Sequence, residues 1–261
     1  MELWKGKWAL VTGASAGIGQ ALAGQLATGG AHLVLVARRL DRLERLAKDL
    51  REKHDVHVEV LAADLARPGV PDEVFSFTSG KGIDVELLCN NAGFGAYGAF
   101  HKSELSRQLE MVQVNCAAVV HLTHLYLPPM IARGHGGILI LASTAAFQGV
   151  PYIATYAATK AFDLLFAEAL AEEVRRYGVR VCALCPGSTA TEFQQVAGQP
   201  DRMFSRAETA EKVARVGLEA IAAGKSSVIS GLGNFLGAES QRFVPRRMVT
   251  RIAAKMFEPS A

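Results

Sequence analysis

Residues Lys7 to Gly19 read KWALVTGASAGIG, an apolar run that passes directly into a turn containing three glycines. The first six residues form a short, continuous apolar run, which is typical of a buried strand. Beyond the turn, apolar side chains recur every four residues at Ile18, Leu22 and Leu26, which predicts a helix. The helix should end at Gly29-Gly30. This stretch therefore predicts a strand, a tight turn and a helix in succession.

The same alternation of strand and helix continues along the chain. Apolar runs predict further strands at 33–36, 56–61, 85–89, 137–142, 179–185 and 227–229. Helical periodicity predicts helices at about 40–50, 106–131, 156–177 and 207–222. Alternating elements of this kind form a parallel sheet with right-handed crossovers. We therefore expect an α/β protein with a doubly wound parallel sheet (a Rossmann fold) of about seven strands, forming a single domain over residues 1–261.

Composition excludes several classes of protein. The chain has 261 residues, of which half are hydrophobic, and a net charge of +3 is too small to indicate a nucleic-acid partner. The residues before Trp8 include no apolar run long enough for a signal peptide, and no stretch reaches the length of a membrane span. We expect a cytoplasmic protein.

Cysteine and histidine spacing predicts no metal site. Cys182 and Cys185 are three residues apart on a predicted strand, which places them on opposite faces, and no second pair completes a zinc site. We interpret all four cysteines as small buried apolar residues. His121 and His124 are one turn apart on a predicted helix but lack further ligands, so we expect them at solvent or at a subunit contact.

The glycine-rich turn has the composition of a dinucleotide-binding site. Gly13, Gly17 and Gly19 let the backbone turn sharply and approach a pyrophosphate, which binds at the free N–H groups of the following helix. Their spacing is GxxxGxG instead of GxGxxG, but the strand–turn–helix context is the same.

Two arginines directly follow the second predicted strand. An acidic residue there binds the ribose hydroxyls of NAD, whereas arginine accepts the 2′-phosphate of NADP. The sequence has Arg38 and Arg39 at this point and no carboxylate. We expect Arg38 to bind the 2′-phosphate with help from the Ser15 hydroxyl, while the start of a solvated helix explains Arg39 adequately.

Tyr156 and Lys160 are one turn apart on a predicted helix and project from the same side. An ammonium group beside a phenol favours the phenolate and lowers the pKa of the tyrosine. Bringing that pKa close to neutral requires a shift of roughly 3 units, about 4 kcal/mol, which calls for a second positive charge. The same spacing arises by chance on helix surfaces, so the pair depends on its surroundings for support.

Together these features resemble the short-chain dehydrogenase/reductase family over about residues 7 to 191. The matching segments are Thr12 to Gly19, Asp64-Leu65, Asn90 to Gly93, Asn115, Ser143, Tyr156 with Lys160, and Pro186-Gly187 followed by Thr191. Each segment alone is common, but seven in register are specific. Within the family the sequence looks most like bacterial, NADP-preferring reductases of unassigned substrate, with distant similarity to hydroxysteroid and 3-oxoacyl reductases.

The resemblance implies a catalytic set of Asn115, Ser143, Tyr156 and Lys160. Tyr156 would protonate a carbonyl oxygen during reduction and act as the base in reverse, while Lys160 would lower its pKa and hold the nicotinamide ribose. The positive charge of the oxidised nicotinamide would be the second cation. Ser143, at the end of a strand, would hold the substrate oxygen. Asn115 would support a water in a proton relay to Lys160.

The resemblance also implies which residues bind the cofactor, NADP(H). Asp64 would accept a hydrogen bond from the adenine amino group, Asn91 to Gly93 would line the adenosine ribose, and Pro186 to Thr191 would bind the carboxamide. The complete cofactor set is Gly13, Ser15, Gly17, Ile18, Gly19, Arg38, Asp64, Leu65, Asn91, Ala92, Gly93, Tyr156, Lys160, Pro186, Gly187, Thr189 and Thr191.

In the family, the region corresponding to 188–206 is a substrate lid, and the helices near 106–131 and 156–177 are dimer surfaces. We therefore expect a homodimer or homotetramer. Arg202 and Arg206 are too loosely placed to act as a carboxylate clamp. Apolar residues that border a pocket would favour a hydrophobic ketone, aldehyde or secondary alcohol as substrate. These residues are Phe94, Tyr97, Phe147, Tyr152, Phe193, Met203 and Phe204.

The segment at about 240–257 is basic and amphipathic. Its apolar residues, spaced largely by four, are Phe243, Val244, Met248, Ile252 and Met256. Its basic residues are Arg242, Arg246, Arg247, Arg251 and Lys255. One helix face is therefore apolar and another basic. Two interpretations stay open, of which we favour the first: packing against the protein body or a partner subunit, or contact with an anionic membrane surface.

The sequence thus predicts an NADP(H)-dependent oxidoreductase that transfers a hydride between the nicotinamide and a ketone, aldehyde or secondary alcohol. One alternative is an epimerase or dehydratase of the same fold, although that branch is longer and uses a different glycine spacing. Another is an NADP(H)-binding regulator without turnover. The intact set of Asn115, Ser143, Tyr156 and Lys160 argues against a regulator, because drift would normally break at least one of them.

Overall fold

A computed structural model describes residues 2–199 and 207–259 and contains a seven-stranded parallel sheet. The strands are β1 (Trp8–Thr12), β2 (His32–Ala37), β3 (Val58–Ala62), β4 (Val85–Asn90), β5 (Gly136–Leu141), β6 (Val179–Cys185), β7 (Thr189–Ala190), β8 (Glu208–Thr209) and β9 (Ser227–Ile229). The short strands β7 and β8 form a separate pair outside the large sheet. The order in the large sheet is β3-β2-β1-β4-β5-β6-β9, and all neighbours are parallel. The predicted doubly wound fold is confirmed.

Helices connect the strands. They are α1 (Gly17–Thr28), α2 (Leu40–His54), α3 (Val70–Gly80), α4 (Leu105–Val112), α5 (Ala118–Arg133), α6 (Ala154–Val174), α7 (Phe193–Ala197), α8 (Ala210–Ala222), α9 (Leu232–Ser240) and α10 (Arg246–Phe257). A π-helical turn at Gln113–Ala117 joins α4 to α5, so the single helix predicted at 106–131 is interrupted there.

The sheet is covered on both faces, which is why its strands are apolar throughout. One core layer packs α1, α2 and α8 against the sheet, and Cys182 belongs to it. The opposite layer contains α3, α5 and α6, and Cys185 belongs to that one. The prediction that these cysteines lie on opposite faces is confirmed. Cys116, in the π-helical turn, is only half-buried, so its prediction as a buried residue is wrong.

Three helices, α3, α7 and α9, were not predicted from the sequence. The helix α3 lies between β3 and β4, and its buried side chains Val70, Val74 and Thr78 are spaced by four. The line contains only two aliphatic side chains and ends in the polar Thr78, so apolar periodicity does not mark the helix. The helix α9 exposes most of its apolar residues, so no buried stripe marks it.

The ends of the strands gather the candidate site residues at one edge of the sheet. Gly13 follows β1, Arg38 follows β2, Asn91 follows β4, and Ser143 comes two residues after β5. Ligands of open α/β sheets bind at this carboxyl edge, at the point where the strand order reverses. In this sheet that point lies between β1 and β4. None of the described helices is long and apolar enough to cross a membrane.

Candidate active site

The glycine turn is built so that the backbone comes close to the start of α1. Gly13 adopts φ +66°, and a Cβ there would lie 2.9 Å from the Ala92 Cα atom. A Cβ at Gly19 would collide with the carbonyl oxygen of Gly13. Backbone atoms cannot move aside as the end of a flexible side chain can, so they exclude larger residues at these two positions. The free N–H groups at the start of α1 can therefore face an anion held in the turn.

Thr12 and Asn91 tie the turn to the end of β4. The Thr12 hydroxyl accepts from the backbone N–H groups of Asn91 and Ala92, both at 3.0 Å, and donates to the Cys89 carbonyl at 3.2 Å. The Asn91 amide donates to the Thr12 carbonyl at 2.8 Å. Asn91 therefore braces the end of β4 against the end of β1. Thr12 is a structural residue of the site that the sequence reasoning did not single out.

The basic residues after β2 are arranged differently from the prediction. Arg39, not Arg38, reaches Ser15, with its Nη2 atom 3.1 Å from the Ser15 hydroxyl. Arg39 also donates to Glu192 at 2.8 Å, and Arg42 donates to the second oxygen of the same carboxylate at 2.5 Å. These hydrogen bonds lower the pKa of Glu192. Arg38 lines the same cavity, is largely exposed and lies 3.7 Å from Glu110.

Asp64 and Leu65 lie just past β3 and line the cavity beside the two arginines. One Asp64 oxygen accepts from the Ala66 N–H at 3.1 Å, which fixes the carboxylate at the turn. Leu65 is buried. Their roles in cofactor binding stay predictions.

Tyr156 lies near the start of α6, half-buried, with its phenyl ring 5.3 Å from that of Phe193. Burial raises the pKa of Tyr156, whereas the Lys160 ammonium and the Ser143 hydroxyl lower it. The effect of Lys160 has the predicted direction, but burial outweighs it and the net shift is upward. Ser143 also accepts from the Ala145 N–H at 3.1 Å, and this hydrogen bond holds its side chain in position.

Lys160 is buried, and two acceptors hold its ammonium group. Its Nζ atom donates to the Leu141 carbonyl at 2.6 Å and to Asp163 at 3.0 Å. Burial acts to lower the pKa of Lys160, but Asp163 and Tyr156 outweigh it, so the net direction is upward and the group stays charged. Burial raises the pKa of Asp163 to about 6 against the effect of Lys160. Asp163 was not predicted to belong to the site.

Asn115 is fully buried in the π-helical turn, where all of its amide contacts are internal. Its Oδ1 atom accepts from the Phe94 N–H at 3.1 Å, and its Nδ2 atom donates to the Phe94 carbonyl and the Thr159 hydroxyl, both at 3.0 Å. These hydrogen bonds satisfy the buried amide. Its role in a proton relay stays a prediction.

The segment after β6 closes the other side of the cavity. Pro186, Gly187, Thr189 and Thr191 all line it, and the Pro186 carbonyl accepts from the Thr144 N–H at 2.9 Å. A Cβ at Gly17 would lie 2.9 Å from the Thr191 side chain, so this segment packs directly on the glycine turn.

A single cavity of about 690 Å³ unites most of these groups. The predicted site residues that line it are Gly13, Ser15, Gly17, Ile18, Arg38, Asp64, Leu65, Asn91, Ala92, Gly93, Ser143, Tyr156, Lys160, Pro186, Gly187, Thr189 and Thr191. Gly19 and Asn115 do not line it and act through packing and hydrogen bonds. No three His, Cys, Asp or Glu side chains in the described part of the chain cluster as metal ligands.

The apolar wall of the cavity differs from the predicted one. Phe94 and Phe193 line it, whereas Phe147 does not, and Tyr97 with Tyr152 borders a separate small pocket. The predicted wall residues Met203 and Phe204, like Arg202 and Arg206, lie outside the described residues. Apolar residues missed by the sequence reasoning complete the wall. They are Val150, Ile153, Val196, Met256 and Phe257.

The helix α10 packs on the body, but through a different face from the one that the sequence pattern indicated. Ala253 is buried and Phe257 partly buried against Val150 and Ile153, and the Tyr97 hydroxyl donates to the Phe257 carbonyl at 2.8 Å. Met256, from the predicted apolar face, is exposed. The spacing by four was visible in the sequence, but it did not show whether the side of the helix with Met256 or the side with Ala253 and Phe257 packs on the body.

Comparison with known proteins identifies the family to which the chain is similar. The family model described as short chain dehydrogenase matches residues 7–202. The human very-long-chain 3-oxoacyl-CoA reductase is 33% identical over 195 residues, which cover 73% of this chain and 62% of the human protein. The chain thus spans less than two thirds of the length of that relative.

Solved structures of similar proteins extend the match over most of the chain. A short-chain dehydrogenase from Sphingobium yanoikuyae in complex with NADPH is 29% identical, has a TM-score of 0.84, and is covered over 95% of its chain and 93% of this one. A 7beta-hydroxysteroid dehydrogenase is 27% identical with a TM-score of 0.87, covering 97% of this chain and 98% of its own.

Proposed function

The chain belongs to the short-chain dehydrogenase family, and we propose that it is an NADP(H)-dependent oxidoreductase acting on a hydrophobic ketone, aldehyde or secondary alcohol. The observation that carries this proposal is the single cavity that unites Tyr156, Ser143 and Lys160 with the glycine turn. A proton donor and a dinucleotide site in one enclosed space are what carbonyl reduction requires.

The residues present fit a bound NADP(H). Gly13 and Gly17 both have positive φ, and α1 offers its free N–H groups to a pyrophosphate. Arg38, Arg39 and Ser15 line the end of the cavity where the second strand stops. The two residues that directly follow this strand are both arginine, and neither is a carboxylate. Positive side chains at this position suit the 2′-phosphate of NADP better than the ribose hydroxyls of NAD.

NADPH would supply the hydride for reduction, and the protein's own residues would manage the proton. Tyr156 gives the phenol proton to the oxygen of the substrate, and Ser143 donates a hydrogen bond to the same oxygen as negative charge grows on it. Lys160 stabilises the phenolate that remains on Tyr156. Asp163 and the Leu141 carbonyl fix the position of the Lys160 ammonium from the other side.

The pKa of Tyr156 suits the direction of reduction. Because burial raises it, the phenol is protonated and ready to donate throughout the neutral range. Oxidation of an alcohol needs the phenolate instead. The positive charge of an oxidised nicotinamide would lower the pKa of Tyr156 for that direction.

The cavity wall supports a hydrophobic substrate. Phe94, Ile153, Phe193 and Phe257 present apolar surface close to Tyr156. Similar proteins are named as a very-long-chain 3-oxoacyl-CoA reductase and a 7beta-hydroxysteroid dehydrogenase, and both names indicate substrates with a bulky apolar part, a long acyl chain or a steroid. We therefore propose a bulky ketone, such as a 3-oxoacyl or ring ketone, as the substrate class.

We also propose that the protein forms a homodimer or homotetramer. The surfaces of α4, α5 and α6 expose apolar side chains that a partner copy would cover. These residues are Leu105, Leu109, Val112, Val120, Phe162 and Leu165.

A carbonyl panel tests the proposed function. Purified protein is mixed with NADPH or NADH and with ketones of rising size, and cofactor absorbance is followed. We expect NADPH consumption that grows with the apolar size of the ketone, and a clear preference over NADH. Binding of NADPH without turnover of any carbonyl or alcohol would contradict the proposal and favour a regulatory protein.

A further inference from the structure

The helix α10 presents three faces, of which two are turned to solvent. Ala253 and Phe257 share the face that packs on the body. Met248, Ile252 and Met256 form a second line, four residues apart, and each is at least half exposed. Each member of this line precedes the packed line by one residue, which places it about 100° around the helix.

The third face of α10 is basic. Arg247, Arg251 and Lys255 are exposed, and each precedes the apolar line by one further residue. The basic line therefore borders the exposed apolar line on the side away from the body. In the part of the chain that the structure describes, the salt bridge of this segment joins Arg242 to Glu239 and leaves these three side chains outside it.

The neighbouring helix α9 adds a second exposed apolar face. Leu232, Phe235 and Leu236 lie on one side of it at spacings of three and four, and all three are exposed. Phe243, between α9 and α10, is 89% exposed. Apolar side chains concentrated in this way mark an interaction surface more often than scattered ones do.

Charge is distributed unevenly along the chain. Residues 240–257 contain five of the 28 basic residues and none of the 25 acidic ones. The rest of the chain therefore has 23 basic and 25 acidic residues, a net charge of −2. The positive charge of the protein is concentrated next to its exposed apolar side chains.

This surface borders one opening of the cavity. Gly233 and Gly237 of α9, Val196 of α7 and Met256 of α10 are exposed and also line the cavity. Residues that do both stand at its opening. A large apolar substrate that entered here would pass between α9 and α10.

We propose that the α9–α10 surface docks on a bilayer that contains anionic lipid, so that the cavity opens toward the lipid phase. An apolar line bordered by arginine and lysine is the pattern of helices that lie in the membrane interface. A two-fold contact between copies would instead bring the basic lines together, and their charges would repel. This inference extends the proposed function, because it supplies the route by which a bulky ketone reaches Tyr156.

The first experiment measures binding of the full chain to vesicles by co-sedimentation. Vesicles of phosphatidylcholine with phosphatidylglycerol are compared with phosphatidylcholine alone, at low and at high salt. We expect binding to the anionic vesicles that weakens as salt rises. A protein that stays in the supernatant with both vesicle types overturns the proposal.

Matched variants locate the contact. Arg247→Glu/Arg251→Glu should weaken vesicle binding about 25-fold or more, because each basic residue contributes about fivefold. The control Arg45→Glu/Lys48→Glu changes the net charge equally on exposed α2 and should have little effect. Equal losses in the two variants would show that binding follows net charge alone and would overturn the proposed site.

Ile252→Ser tests the apolar line, with Leu40→Ser on α2, outside the proposed subunit contact, as its control. We expect Ile252→Ser to weaken vesicle binding by about fivefold while the oligomeric state, measured by sedimentation velocity, is unchanged. Dissociation of an oligomer by Ile252→Ser without loss of vesicle binding would assign the surface to a second copy and overturn the proposal. Because vesicle binding is measured without turnover, it fails or succeeds separately from the proposed oxidoreductase activity.

Discussion

Asp163→Asn is the change that separates the stability of the site from its activity. The Asp163 carboxylate is fully buried on α6, three residues after Lys160, and accepts from its ammonium at 3.0 Å. Its Oδ1 atom has no hydrogen-bond partner among the described residues. A buried pair with an unsatisfied oxygen is a costly arrangement, which suggests that it is kept for a purpose other than stability.

The pKa of Asp163 gives the size of the effect. Burial raises it from 3.8 to about 6, even with Lys160 beside it. Between those values the folded protein holds a proton that the unfolded chain releases, so stability falls as pH rises from about 4 to about 6. The shift of roughly 2 units corresponds to about 3 kcal/mol. At neutral pH, burying the charged carboxylate therefore costs more folding free energy than its attraction to Lys160 supplies.

Asp163→Asn removes this charge while it keeps the shape. A buried amide group without an acceptor costs about 1–3 kcal/mol, so the net change at pH 7 should lie between zero and about 2 kcal/mol of added stability. Urea unfolding followed by tryptophan fluorescence at several pH values between 4 and 7.5 measures it. The part of the wild-type pH dependence that comes from Asp163 should vanish in the variant.

A large loss of stability in Asp163→Asn would be the opposite result. Removing one partner of a net stabilising buried pair costs about 3–5 kcal/mol, and a loss of that size at pH 7 would refute the reasoning. Glu172→Gln is the matched control, because Glu172 and Arg175 form an exposed pair of the same spacing on the same helix. Its change should stay below about 1 kcal/mol. Activity of Asp163→Asn should fall about tenfold or more, since Lys160 loses an anchor.

Three further predictions concern the cofactor end and the pH profile. Glu192→Gln should tighten NADPH binding several-fold and leave NADH binding unchanged in fluorescence titrations, because Arg39 is released from the carboxylate; weaker NADPH binding would contradict this. Gly19→Ala should abolish cofactor binding or folding, as the added Cβ meets the Gly13 carbonyl; a stable variant with normal NADPH affinity would disprove the packing argument. The raised pKa of Tyr156 predicts that alcohol oxidation accelerates from neutral to alkaline pH while ketone reduction stays flat until alkaline pH, and parallel profiles in steady-state assays would count against it.

Local patterns predicted the fold well because the sheet and most helices are specified by short-range periodicity. The strand runs of β1 to β6 and β9 were each found, since strands buried on both faces are apolar throughout. The helix α3 was missed because its buried line of Val70, Val74 and Thr78 is short and ends in a polar residue. The helix α9 was missed because its apolar residues face solvent and give no buried stripe.

Contacts between distant segments were beyond the reach of sequence patterns. Arg39 and Glu192 meet across 153 positions of the chain, and neither residue alone suggests the pair. Asp163 did give a local signal, as a carboxylate between Phe162 and Leu164 three residues after Lys160. The packed face of α10 depends on where the cavity wall lies, so only the fold could distinguish Phe257 from Met256.

The central claim is that Tyr156 is the proton donor of an NADPH-dependent reduction, and Tyr156→Phe tests it most directly. The variant removes one hydroxyl from the cavity and leaves the glycine turn, Arg38 and Arg39 in place. Fluorescence titration and turnover of the best ketone are measured for wild type and variant at the same pH. We predict an NADPH affinity within a few-fold of wild type and a turnover number lower by a factor of about 10²–10⁴. A variant that binds NADPH normally and retains most of its turnover would contradict the account.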